Sequence, residues 1–173
     1  MKQKVFLFVV VAILFLAIGA YFGNKRLQNA AVESESGRKL FALNLPDDKG
    51  KTQQLEQWKG KNLVINFWAT WCAPCVEEMP ELSAMQAELS GRNIQILGIG
   101  IDSAKNIGEF TAKYRIAYPI YVAGMEGTEL SRSLGNVAGG LPFTVLLSAD
   151  GRIKKTYLGR LKMDALRADI VAL

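Results

Sequence analysis

The chain's two cysteines stand two residues apart, in Trp71-Cys72-Ala73-Pro74-Cys75. A pair at this spacing can close a disulfide and reopen it, so the chemistry on offer is dithiol–disulfide exchange. Before the pair, Leu63-Val64-Ile65-Asn66-Phe67-Trp68 is an apolar run of the kind that makes a buried strand. After it comes a segment with helical character. A helix that starts here points unpaired N–H groups and a positive dipole end at the first cysteine. Both favour the thiolate, which is the nucleophilic form. Cys72 is therefore expected to attack a disulfide, and Cys75 to resolve the mixed disulfide that results.

The chain has no histidine. A Cys-His hydrolase and a Cys/His zinc site are thereby excluded within it. The formal charge is +5. Removing Lys2 and Lys4 from the 21 basic residues leaves 19 against 16 acidic ones, with no basic cluster. That mild excess argues against nucleic-acid binding and against a polybasic membrane patch.

The exchange motif needs a scaffold, and the rest of the sequence supplies a consistent one. Leu40 to Leu45 alternates in part and ends in the turn residues Pro46-Asp47-Asp48-Lys49-Gly50. Thr52 to Leu55 would complete a hairpin. Gly60 precedes a strand from Asn62 to Trp68. A helix runs from about Cys75 to Ser90, with Gly91 after it and Pro80 inside it as a source of a kink. Further on, the pattern predicts a strand at Asn93 to Ile101, a helix at Ala104 to Tyr114, a short strand at Ile120 to Ala123 and a short helix at Thr128 to Leu134. Phe143 to Ser148 and Arg152 to Leu158 read as a hairpin around Ala149-Asp150-Gly151, and Lys162 to Leu173 as a closing helix. This order implies an α/β domain with a central mixed sheet and helices on both faces. Trp68 reads as a core residue. Leu97-Gly98-Ile99-Gly100-Ile101 lacks the third glycine of a nucleotide loop and reads as close packing in a strand. Asp47-Asp48 reads as a solvated turn.

The N-terminus reads differently. Residues 5–22 hold no charged side chain. At ~1.5 Å per residue this run reaches about 27 Å, close to the roughly 30 Å of a bilayer's hydrocarbon core. It reads as a membrane anchor or as a signal peptide. Its length and the bulky Tyr21 and Phe22 favour the anchor, and the flanking charges mildly favour an N-in orientation. Either way the remainder is exported, where disulfides persist. The expected organisation is 1–23 anchor or signal, 24–38 linker (a tether, or a helical extension of the anchor), and 39–173 the catalytic domain.

From Phe41 to about Ala172 the chain resembles the thioredoxin superfamily, and within it the membrane-anchored TlpA/ResA-like branch. The resemblance rests on Phe67-Trp68-Ala69-Thr70-Trp71-Cys72-Ala73-Pro74-Cys75, on Pro80 eight residues after Cys72, and on Gly140-Leu141-Pro142-Phe143-Thr144. It implies a thioredoxin-like α/β fold with an N-terminal β-hairpin and an N-terminal transmembrane helix. It implies protein-disulfide oxidoreductase activity with no cofactor beyond the redox-active Cys72–Cys75 disulfide. It also implies a cis peptide bond before Pro142, with Pro142 against Cys72, and client contacts by Trp71, Ala73, Pro74 and Leu141. The branch favours a reductant of exported client proteins, recharged by a membrane electron donor; the candidate clients are apocytochromes of cytochrome c maturation, copper-site assembly proteins, exported reductases or a pool of misfolded disulfides. It places the protein in the bacterial inner membrane as a single-pass chain, its catalytic domain in the periplasm or extracytoplasmic space. A monomer is the default.

The chain departs from thioredoxin itself at Asn66, where thioredoxin has a buried aspartate. The branch instead carries a glutamate after the motif, and Glu78 matches it. Glu78 could shuttle a proton to or from a cysteine, or serve with Glu77 as a first-turn acid favoured by the helix dipole. The segment around Pro142 differs from the Gly-Ala-Pro-Glu-Thr-like sequence of the cytochrome c maturation reductases. Other readings of the dithiol are a disulfide-forming oxidant, a Cu(I)-binding or copper-site assembly module with Met79 as the nearest further soft ligand, and a peroxidase. The stretch between Ile101 and Pro142 is too short for the helical insertion usual in such oxidants, and no arginine stands near Cys72 in sequence for a peroxidase.

Overall fold

A computed structural model describes residues 37–173, with Gly19 and Glu35 as isolated positions before them. Apart from these two positions, the apolar run 5–22 and the tether up to residue 36 lie outside the described residues. Among the described residues no helix is long and apolar enough to cross a membrane.

The central strand is β3 (Asn62–Trp68). It pairs in parallel with β4 (Ile94–Gly100) and antiparallel with β6 (Phe143–Leu147). β5 (Ile120–Val122) and β7 (Ile153–Leu158) complete a mixed sheet ordered β5-β4-β3-β6-β7. A hairpin of β1 (Asn44–Pro46) and β2 (Thr52–Gln54) forms a second, two-stranded sheet. The helices are α1 (Ala73–Glu88), α2 (Ala104–Tyr114), α3 (Glu126–Ser133) and α4 (Met163–Val171).

β3 is buried on both sides, which is why it reads as an unbroken apolar run rather than an alternating one. Its residues still divide by face, because successive side chains point oppositely. Leu63, Ile65 and Phe67 join Leu97, Ile99, Val145 and Leu147 in one cluster, together with Leu134 after α3. Val64 and Trp68 join Met79 and Leu82 of α1, Ile107 and Phe110 of α2, and Leu166 and Ile170 of α4 in the other. Helices therefore cover both faces, as the element order implies. Gly98 and Gly100 face α1 and α2, and they leave room there. A Cβ on Gly98 would press on Ile120, the Trp68 indole N–H and Tyr118, and one on Gly100 would press on Ile107.

Several boundaries differ from the sequence reading. Residues 37–41 are helical, so Leu40 and Phe41 fall outside the extended segment expected from Leu40 to Leu45. The Ala42 N–H donates to the Arg38 carbonyl at 3.1 Å, and Leu40 packs inward, fully buried; burial of Leu40 outweighs the partial alternation. α1 begins at Ala73, not Cys75, because Pro74 fits the first helical turn, where no N–H is needed. It ends at Glu88, with Gly91 at φ +80° beyond it. α3 begins two residues before Thr128, and the remaining ends shift by a residue or two.

Asp47-Asp48 is more than a solvated turn. Asp47 accepts from the Lys49 and Lys51 N–H groups and from Gln53 Nε2, closing the hairpin. Asp48 accepts from the Thr111 hydroxyl of α2 at 3.0 Å. Asp47 also bridges to Tyr121 of β5, so the hairpin covers the open edge of the main sheet.

Candidate active site

The strand-to-helix junction after β3 positions the dithiol. Cys72 is the N-cap of α1, with extended backbone and no side-chain cap bond. Its N–H donates to the Ala69 carbonyl, and its own carbonyl accepts from Val76, the first helical bond. Cys72 and Cys75 form a disulfide with their Cα atoms 5.3 Å apart. Cys72 is 6% exposed and Cys75 is fully enclosed. The first turn of α1 carries no acidic side chain. The dipole end that favours a Cys72 thiolate is thus unopposed within that turn.

Around the pair, Trp71 is 70% exposed, and Ala73 and Pro74 lie at the surface. Trp68 is wholly buried, tilted against Phe110 with ring centroids 5.0 Å apart. The peptide bond Leu141–Pro142 is cis. Phe143 stands opposite Phe67 in the β3–β6 register, so Pro142 emerges at the end of the sheet where β3 runs into Cys72. Leu141 packs on the cluster that holds both cysteines. Strand ends far apart in sequence therefore meet at one rim.

Glu78 is fully buried, and it lies in the second turn of α1 rather than the first. Its Oε1 accepts from Asn66 Nδ2 at 2.7 Å and its Oε2 from the Leu161 N–H at 2.9 Å. Burial pushes its carboxyl up to about 7, against the pull of those two bonds and of Arg160 nearby. Glu78 follows Cys75 by three residues, one helical turn along α1, and a carboxyl raised toward neutrality is suited to exchanging protons. Glu77, one residue earlier, points outward and pairs with Arg160, which also holds Glu81.

Sequence reasoning did not find the partners that hold this site. Asn66 was visible only as a departure from a family pattern; its bond to Glu78 joins β3 to α1. Leu161 and Arg160 come from the loop after β7, and nothing local in the sequence marks them. Asp102, at the end of β4, accepts from both the hydroxyl and the N–H of Thr70. Met79 is buried in the same cluster as the cysteines. Among the described residues no group of three or more Cys, Asp or Glu side chains is placed to hold a metal ion.

A family model described as Redoxin matches residues 31–170. The thiol-disulfide oxidoreductase ResA of Geobacillus thermodenitrificans is 27% identical over 169 residues, covering 96% of this chain and 94% of that protein. A thiol:disulfide interchange protein of the thioredoxin family from Chlorobium tepidum shares the fold, with a TM-score of 0.65 and 24% identity over 75% of this chain and 91% of that one. A thiol-disulfide oxidoreductase from Bacteroides fragilis superposes with a TM-score of 0.63 at 25% identity, over 75% of this chain and 95% of that one. The chain belongs to the Redoxin family, as a ResA-like thiol–disulfide oxidoreductase on a thioredoxin-like fold with its exchange pair at Cys72 and Cys75.

Proposed function

We propose that the chain reduces disulfides in exported client proteins on the extracytoplasmic side of a membrane. The supporting observation is the unequal exposure of the pair: Cys72 reaches the surface at the tip of α1, and Cys75 does not. In the reduced protein the Cys72 thiolate attacks one client sulfur, and the other client sulfur leaves as a thiolate that takes a proton. The Cys75 thiolate then attacks Cys72 in the mixed disulfide. The second client thiol is released, and the pair closes to the disulfide seen here. Two electrons pass to the client in each cycle. Glu78 accepts or returns the proton of a cysteine during the exchange. Trp71, Ala73, Pro74 and Leu141 form the rim that the client touches, with Pro142 behind Cys72.

Resemblance to the TlpA/ResA-like branch supports the reductive direction. So does the short path from β4 to β6, which carries only α2, β5 and α3 and no large helical insertion. In this reading residues 5–22 hold a monomer to the bacterial inner membrane, a membrane donor restores the dithiol, and no further cofactor takes part. The reduction potential of the purified protein, read from tryptophan fluorescence against a dithiothreitol series, tests it. A value below about −220 mV is expected, among the thioredoxin- and glutaredoxin-like reductants. A value above about −150 mV would make the protein a disulfide-forming oxidant instead.

A further inference from the structure

Asn66 of β3, Glu78 of α1 and Thr144 of β6 meet inside the core, each 1% exposed or less. Asn66 Nδ2 lies 2.7 Å from Glu78 Oε1 and 3.1 Å from Thr144 Oγ1, donating to both. The Leu161 N–H occupies Glu78 Oε2. Both carboxyl oxygens thus accept, which suits the ionised form. Meanwhile Asn66 Oδ1 is buried with no hydrogen-bond partner.

The protonated form of Glu78 is poorly served by this arrangement. Its hydroxyl needs an acceptor, and the two hydrogen-bond partners that the carboxyl has here are both N–H donors. The Leu161 N–H is fixed in the backbone, but the Asn66 amide can turn. A half-turn about its last side-chain bond puts Oδ1 where Nδ2 stood. Oδ1 has two lone pairs. One accepts from the Glu78 Oε1 hydroxyl and the other from the Thr144 hydroxyl, which rotates from acceptor to donor. Amide oxygen and nitrogen are nearly the same size, so packing is undisturbed. The turn exchanges one unpartnered buried polar atom for another, and the two costs are of the same order. The protonation state of Glu78 then decides the orientation.

We propose that Asn66 is a two-state amide switch that donates to ionised Glu78 and accepts from protonated Glu78, with the Thr144 hydroxyl reversing in step. Asn66 is a positioning residue here, acting through Glu78. Thr144 lies two residues beyond Pro142, so the switch ties the proton on Glu78 to the strand that carries the Leu141–Pro142 turn. Other groups act on Glu78 as well. Arg160 approaches from the loop after β7, Glu81 from α1 itself and Tyr118 from the segment before β5. These set where Glu78 titrates. The Tyr118 hydroxyl has no partner, so it is not within hydrogen-bond reach of Glu78 and cannot stand in for the Asn66 oxygen.

This inference extends the proton role proposed for Glu78, yet its readout is independent of turnover. Full-length oxidised protein labelled with ¹⁵N and ¹³C is titrated by NMR. The Glu78 carboxyl carbon reports its protonation. The cross-relaxation contact between the Asn66 side-chain amide hydrogens and the Thr144 methyl reports the amide orientation. The contact is expected above the Glu78 midpoint and lost below it, with one midpoint for both signals. A contact that persists through the titration overturns the switch, as does a Glu78 carboxyl that never titrates while the fold lasts. If the switch holds but exchange by Cys72 is insensitive to the state of Glu78, the proton role fails and the switch stands.

Discussion

Asp102 holds Thr70 twice, by the threonine hydroxyl and by its backbone N–H. Thr70 stands two residues before Cys72, and Asp102 stands at the start of α2, where its other oxygen accepts from the Ser103 N–H and Asn106 Nδ2. Burial raises the Asp102 carboxyl, but the bonds from Thr70, Asn106 and Ser103 outweigh it and hold the group below the usual carboxylate range. One carboxylate thus ties the loop before the dithiol to the neighbouring helix.

Replacing Asp102 with alanine strips several donors of their acceptor at once. Asp102→Ala is expected to lower stability by about 1–3 kcal/mol in a urea titration. Asp102→Asn keeps an oxygen for Thr70 and is expected to lose less. Equal losses would show that the Thr70 bond contributes nothing.

Glu78 gives the fold a pH dependence of definite sign. Its carboxyl is raised from 4.5 to about 7 in the folded chain. Between these values the folded state binds more protons than the unfolded one, so stability falls as pH rises through the window. The full contribution is present below the lower value and is lost above the upper one. It amounts to about 3 kcal/mol, an order-of-magnitude figure at 1.36 kcal/mol per pH unit. Glu78→Gln should flatten this window relative to the parent. Parallel urea midpoints at pH 5 and pH 8 in both proteins would contradict it.

The two cysteines should separate by substitution. Cys72→Ser abolishes exchange with a disulfide substrate. Cys75→Ser keeps the first attack and accumulates a mixed disulfide on Cys72. Mass spectrometry of the alkylated protein reads the adduct. Capture at position 75 in Cys72→Ser, with none at position 72 in Cys75→Ser, would reverse the roles assigned here.

Trp71 exposes most of its surface, so its removal should leave the fold alone. Trp71→Ala is expected to lower kcat/KM toward a protein disulfide about tenfold, as for an aromatic contact worth about 1.4 kcal/mol. Its urea midpoint should match the parent's. A lowered midpoint with unchanged kcat/KM would make it a packing residue.

Gly98 is required for space. A Cβ there would meet Ile120, the Trp68 indole N–H and Tyr118. Gly98→Ala is expected to cost about 1–3 kcal/mol, the usual range for overpacking a filled core. Thermal unfolding checks it, and a shift within error of the parent would mean the core yields there.

The chemistry and most of the frame are legible in the order of residues alone. Local features suffice for both: two thiols one helical turn apart, an apolar run before them, and periodic stretches broken by Gly and Pro. The span of α2 read from the sequence matches the structure residue for residue. Tertiary structure decided what surrounds the dithiol. Asn66, Glu78, Thr144 and Leu161 are scattered along the chain and carry no shared local pattern, yet β3, α1, β6 and the loop after β7 bring them within hydrogen-bond distance. Glu78 illustrates the division. Its sequence position allowed either a helix-start acid or a buried proton carrier, and local spacing cannot distinguish them. The helix starts at Ala73 and the sheet closes over the carboxyl, and the resulting loss of solvent raises it toward neutrality.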